Sequence, residues 1–264
     1  MKRLIALAAL ALLASSCVST KRLTYLQAPE DAPASYDTTT FALQRENYRV
    51  QPNDILSITV RTFDPEAAQV FNLGGQAGAV NTLVAGDILF YLQGYSIDLE
   101  GNIEMPVIGR VSVYGKTVSE INNLIQSKLD RYFKEEAAFV TVQLAGVRYS
   151  VVGDVARPGR YVIYQNQVNI FEALAQAGDI TIIGDRKEVM ILRQSPQGVR
   201  TFRLDLTDRN VISNPHYFIQ PNDIINIQPL PQKSLGIGTT GFQTFAQLFG
   251  ILASAATLAI AISR

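Results

Sequence analysis

The sequence predicts an α+β fold: two small mixed modules in series, followed by one membrane-spanning helix. Three observations carry that prediction. A phrase is written twice, YRVQPNDILSITV from Tyr48 and YFIQPNDIINIQP from Tyr217, with seven of 13 positions identical. Each phrase lies in a region where strand-like alternation and helical spacing take turns. The end of the chain then loses its charge, with none for 30 positions between Lys233 and Arg264.

Lys2 and Arg3 precede an apolar run from Leu4 to Ala14, followed by Ser15, Ser16 and Cys17. Roughly 11 apolar residues fall short of the ~20 that a bilayer core requires. A charged start, a short apolar run and small residues before a cleavage point make a secretory signal over residues 1–17. The pattern is similar to the lipobox of bacterial lipoproteins, which implies that Cys17 is acylated and becomes the first residue of the mature protein. Ala14 stands where leucine is commonest, and an ordinary signal peptide with an incidental cysteine is the other reading. Cys17 is the only cysteine, so it has no disulfide partner. Val18 in place of an aspartate implies, by analogy with enteric lipoproteins, an outer-membrane address. Residues 18–46 are polar, contain Pro29 and Pro33, and read as a tether, part of which can lie along a folded surface.

The first module covers 47–145. Ile55 to Val60 alternates as a strand, and 64–87, rich in Gly and Ala, reads as a loop or flap. YSIDLEGNIEMPVIGRVSVYG reads as two or three short strands, with a turn at Glu100–Gly101. In KTVSEINNLIQSKLDRYF, Thr117 and Glu120 have the spacing of a capping box. Val118, Ile121, Leu124, Ile125 and Leu129 then share one helical face. Ala138 to Leu144 returns to strand.

The second module covers 146–231. Strands at Tyr149–Val152 and Gly159–Ile163 flank a Gly/Pro connection. A helix follows, with Asn169 as cap, Glu172 three residues on and Gly178 closing it. Glu188–Arg193 and Thr201–Leu206 form a hairpin around SPQG, and the second copy of the phrase supplies a closing strand through Ile227. The order is ββαβββ. Gln-Pro-Asn-Asp itself is a turn, because proline fixes φ and the Asn and Asp side chains bond nearby amides. Two readings stand for the repeat: a turn that launches a strand, or a ligand site at Asp54 and Asp223.

Residues 232–264 form a Gly-rich joint and an apolar segment. As a helix, the ~21 residues from Phe242 to Ile262 reach about 31 Å, close to the thickness of a bilayer core. Gln243, Gln247, Gly250, Ser254, Thr257 and Ala261 are spaced 4, 3, 4, 3 and 4 apart, a small and polar stripe. Such a stripe suits helix–helix contact or a wet lumen, because lipid offers its polar groups no partner. A single anchor with an accidental stripe and a buried helix of the folded domain are the other readings.

Composition excludes several classes. Lys plus Arg and Asp plus Glu both number 23, which leaves no basic surplus for nucleic acid. GIGTTG at 236–241 matches a dinucleotide fingerprint but has no following parallel strand and no acidic residue for a ribose. His216 is the only histidine and lacks a companion ligand, so no metal is expected. Glu135 and Glu136 read as a solvated edge, and no nucleophile elbow or phosphate loop is present. The chain is not expected to be an enzyme, and no cofactor is implied.

YRVQPNDILSITV, YSIDLEGNIEMPVIGRVSVYGKTVSEI and GDVARPGRY resemble the polysaccharide-export family of Wza-type outer-membrane lipoproteins. The first two resemble its export domain. VVGDVARPGRYVI with NIFEALAQAGDI resembles the soluble-ligand-binding β-grasp (SLBB) module, and the likeness covers about 47–231. The resemblance implies periplasmic modules in a ring-shaped homo-oligomer, often of eight subunits, whose terminal helices cross the outer membrane. Capsular or exopolysaccharide would leave through the central cavity by passive conduction. An inner-membrane chain-length regulator or tyrosine kinase would be a partner. The other class is a monomeric envelope lipoprotein whose SLBB-like module binds a glycan or a protein. Two departures stand out: only one β-grasp unit is present, and Asn53 and Asn222 occupy a place where the family usually has glycine.

Overall fold

The computed structural model describes residues 20–29, 32–33, 40–63, 65–72, 94–133, 137–195, 198–231 and 249–250. Its first module comprises β1 (Ile55–Thr62), α1 (Pro65–Phe71), β2 (Tyr95–Ser96), β3 (Asn102–Met105), β4 (Gly109–Ser112), α2 (Val118–Leu129) and β5 (Ala138–Leu144). β1 is the central strand of an antiparallel sheet ordered β2-β1-β5, and β3 and β4 form a separate hairpin. Leu56, Ile58 and Val60 of β1 share a buried cluster with Ile121, Ile125 and Leu129 of α2. Each such side chain contributes about 1.5–3 kcal/mol of burial. The capping box of α2 is complete: Thr117 Oγ1 accepts from Glu120 N at 3.2 Å, and Glu120 Oε2 accepts from Thr117 N at 2.8 Å.

The second module comprises β6 (Val147–Gly153), β7 (Gly159–Ile163), β8 (Val168–Asn169), α3 (Ile170–Gln176), β9 (Gly184–Ser195), β10 (Gly198–Leu204), β11 (Phe218–Ile219) and β12 (Ile224–Pro229). Five strands form a mixed sheet ordered β10-β9-β12-β6-β7, in which β12 runs parallel to β6 and antiparallel to β9. Asn169 and Glu172 form the second capping box, and Gly178 ends the helix at φ +78°. Ile170, Ala173 and Leu174 bury that helix in the same core as Tyr149, Val151, Ile191 and Ile225. β8 and β11 pair in a two-stranded ribbon that the order ββαβββ omits. Two-residue strands are too short to leave a period in the sequence.

The segment 64–87 is not wholly a loop, because its first part is helix α1. Phe71 at the end of α1 is 4% exposed, and its ring lies 5.5 Å from that of Phe133. Asn72 follows, its side chain bonding both the N–H and the C=O of Val60 at 2.9 Å. One buried aromatic and one amide hold this turn, and neither produces an amphipathic pattern. Residues 73–87, the rest of the expected flap, lie outside the described residues.

Part of the tether lies along a folded surface. Thr20 to Gln27 is docked on the second module as a strap. Leu26 and Gln27 donate their N–H groups to Leu206 O (3.1 Å) and Thr207 O (2.6 Å), and Arg209 N donates to Gln27 O. Tyr25 packs edge-on against Phe171, lies under the Arg186 guanidinium, and donates its hydroxyl to Asp179 Oδ1 at 2.5 Å. A polar segment with one well-placed aromatic and free backbone donors therefore makes a structural edge.

No helix among the described residues is long and apolar enough to cross a membrane. The expected span, Phe242 to Ile262, lies outside them except for Phe249 and Gly250, which are helical.

Candidate functional site at the joint between the modules

The two copies of the repeated phrase meet. In each, the asparagine adopts a left-handed backbone, φ +70° at Asn53 and +67° at Asn222. Asparagine tolerates that region far better than most residues with a Cβ, which suits it to this position of the turn. In each, the following aspartate folds back on the turn: Asp54 Oδ2 accepts from Gln51 N at 2.9 Å, and Asp223 Oδ2 accepts from Gln220 N at 2.7 Å. Each asparagine N–H then donates to another segment, Asn53 to Ile97 O just past β2 and Asn222 to Arg148 O of β6.

The copies differ in what completes the carboxylate. Asp54 accepts from Tyr48 Oη at 2.5 Å and, across the joint, from Asn222 Nδ2 at 3.1 Å. Asp223 holds Arg193 in a bidentate pair at 2.9 and 2.8 Å, with the Arg193 side chain 10% exposed and that of Asp223 fully buried. Arg148 of β6 reaches back to donate to Asn53 O at 2.8 Å. Burial raises both carboxyls above their ordinary range, against the opposing pull of these donors. Burial and the charge of Asp54 likewise push the Tyr48 phenol up. Neither aspartate faces solvent, and their acceptors are filled from within. The turn reading of the phrase fits this geometry and a ligand site on the carboxylates does not.

Open space lies on two sides of the joint. One cleft of about 600 Å³ runs between the start of α2, the end of β5 and the approach to the second turn, with Tyr48, Phe218 and Leu144 in its walls. A smaller cleft of about 400 Å³ is lined by Asn53, Arg148, Arg160, Gln194 and Asn222. His216 is near the second turn, its ring stacked 3.6 Å from Phe202. Burial, then the charge of Arg193, holds its imidazole below the usual range. Among the described residues no group of His, Cys, Asp and Glu could hold a metal.

Of the residues singled out in the sequence, Cys17, Gln243, Gln247, Ser254, Thr257 and Ala261 lie outside the described residues, as do Glu135 and Glu136. Gly250 is helical. Tyr48, Arg148 and Arg193 were not singled out. The tyrosine that opens both phrases was the available signal for the first, whereas the arginines sit in strands with no local mark of their role.

Residues 42–145 match the model of the family described as polysaccharide biosynthesis/export protein. The chain is 27% identical over 187 residues to the EPS I polysaccharide export outer membrane protein EpsA of Ralstonia solanacearum, covering 69% of this chain and 48% of that protein. It is 25% identical over 222 residues to the capsule polysaccharide export protein BexD of Haemophilus influenzae, covering 81% of this chain and 51% of that one. The chain thus spans about half the length of these relatives.

Proposed function

From the match of residues 42–145 to the polysaccharide biosynthesis/export family, we propose that the chain is a Wza-type outer-membrane lipoprotein that assembles into a ring and conducts capsular or exopolysaccharide to the cell surface. The domain match is the observation that carries the reading, and the names of the relatives agree with it. No chemistry is asked of the protein in this role. It supplies a path, and the driving force comes from elsewhere in the envelope.

The arrangement of the chain supports an orientation for such a ring. Thr20, three residues after Cys17, begins the strap on the second module, so a lipid on Cys17 would lie within about 11 Å of chain from it. The other membrane device would leave from the same module, since β12 ends at Pro229 and Leu230 N is tied to Ile183 O at 2.7 Å. Both devices would then put the second module next to the membrane, with the export domain projecting into the periplasm. The mixed sheet, with β12 parallel to β6 and helix α3 in its core, supports the β-grasp assignment for 146–231. Phe242 to Ile262 would then cross the membrane with its Gln243–Ala261 stripe toward neighbouring copies or the lumen. An inner-membrane regulator or kinase would meet the export-domain end.

Electron microscopy of the detergent-extracted protein tests this proposal. Closed rings are expected, and uniformly monomeric particles would leave only the reading of a glycan- or protein-binding lipoprotein. Substituting Ser254 and Gln247 by Leu should lower surface polysaccharide if the stripe serves the conduit.

A further inference from the structure

The 600 Å³ cleft at the joint has a lining of a particular kind. Glu46 is its one charged residue, and no lysine or arginine contributes to it, in a chain that carries 23 of them. Six side-chain amides line it: Asn122, whose Oδ1 accepts from Val142 N at 3.1 Å, and Asn47, Gln143, Asn166, Gln167 and Gln220. Among the described residues the last five make no side-chain hydrogen bond within the protein. They come from the approach to the first turn, the end of β5, the loop before β8 and the second turn, so the set exists only when both modules are joined. Between them, Tyr48 and Phe218 offer half-buried aromatic surface.

This is a poor site for a charged ligand, because nothing in it neutralises an anion and one carboxylate alone holds a cation weakly. An apolar ligand would strip water from five amides without replacing it. Hydroxyl and acetamido groups suit it better. Each carboxamide both donates and accepts, matching groups that do the same, and the C–H face of a pyranose ring can rest on an aromatic side chain. The volume falls within the usual range of ligand sites, about 300–1,000 Å³.

We propose that this inter-module cleft binds an uncharged stretch of glycan, a few sugar residues long. The proposal deepens the export reading, on which it rests for the identity of its natural ligand. The export domain and its neighbour then form one sugar-contacting surface away from the turn carboxylates, which are occupied in holding the joint.

Calorimetric titration of the full-length, detergent-extracted protein provides the test. The probes are maltohexaose, chitohexaose and, as an anionic contrast, a hexagalacturonate. At least one neutral oligomer should bind, and Gln143→Ala with Gln167→Ala should weaken it about tenfold or more, a loss of about 1.4 kcal/mol. Both glutamine side chains are exposed and make no hydrogen bond within the protein, so the melting temperature and ring images should not change. Absence of binding by both neutral probes would overturn the proposal, as would unchanged binding by the double variant. So would preferential binding of hexagalacturonate lost with Arg160→Ala, which would move the ligand to the smaller cleft. Rings that fall apart in the double variant would instead make the cleft a contact between copies. Rings without sugar binding defeat this inference alone, while sugar binding by monomers defeats the export reading and leaves the cleft standing.

Discussion

Asn222 Nδ2 donates a 3.1 Å hydrogen bond to Asp54 Oδ1, joining two residues 168 positions apart that occupy neighbouring positions in two copies of one phrase. The contact couples the two modules through an amide and a buried carboxylate. Asn222→Gly should retain the left-handed turn while removing the amide. Hydrogen bonds to charged groups contribute about 1.5–3 kcal/mol, so a loss of about 1–2 kcal/mol is expected once other contacts across the joint, such as Arg148 to Asn53 O, persist. In a double-mutant cycle with Asp54→Asn, the two changes should be non-additive by at least ~0.5 kcal/mol. Additivity in urea unfolding would mean that the contact carries no coupling.

The buried carboxyl also sets a pH dependence. Burial raises Asp54 above its ordinary 3.8. Between that value and the raised one, the native state holds a proton that the unfolded chain has lost. Stability from this group is therefore full below about 3.8 and is lost as pH rises through the folded value. Asp223, raised by burial against the pull of Arg193, adds the same sign. Asp98 and Glu120 act in the opposite sense, lowered first by the backbone N–H groups of Asn102 and Thr117, and lose their contribution as pH falls. Comparing the native chain with Asp54→Asn isolates the first effect. The native chain's stability relative to the variant should decline as pH rises above about 4. A gap that stays constant or widens with pH would show that Asp54 ionises as readily in the fold as outside it.

Gly153 gives a sharper stability prediction. It lies at φ +91° at the end of β6, and a Cβ there would sit 2.0 Å from Ile227 O in the parallel partner strand β12. Left-handed backbone costs a residue with a Cβ about 1–2 kcal/mol, and overpacking adds about 1–3. Gly153→Ala should therefore destabilise the second module by about 2–5 kcal/mol, read as a fall in its urea midpoint. A change below ~0.5 kcal/mol would show that the two strands can separate without loss.

Much of this architecture was legible in the sequence because it is local. Thr117 with Glu120 and Asn169 with Glu172 marked helices α2 and α3 within four residues. Each copy of the phrase launches a strand flanked on both sides, β1 in one sheet and β12 in the other. What was not legible depends on distance along the chain. Nothing at Asn222 signals that its amide ends on Asp54, and nothing at Gln143 signals that Gln167 faces the same cleft. Helix α1 is fixed by Phe71 and Asn72 rather than by an apolar stripe, and the strap by Tyr25, so windows of periodicity pass over both.

The strap yields the last prediction. Tyr25 fixes residues 20–27 through its ring on Phe171, the Arg186 guanidinium above it and its hydroxyl on Asp179. Tyr25→Phe removes only the hydroxyl bond, about 1 kcal/mol, and should raise the open population of the strap about fivefold. Tyr25→Ala also removes the ring, and truncating a large aromatic costs about 3 kcal/mol or more, a rise of over a hundredfold. Lys21 and Arg22 lie in this segment, so native-state trypsin cleavage after them reports the opening directly. The cleavage rate should follow the order native, Phe, Ala, while the urea midpoint of the second module moves far less. Equal rates in all three proteins would mean that the backbone bonds to Leu206 and Thr207 hold the strap unaided. If the midpoint instead fell in step with the cleavage rate, the strap would be part of the second module's cooperative core, and the spacing between Cys17 and that module would be set by the fold as a whole.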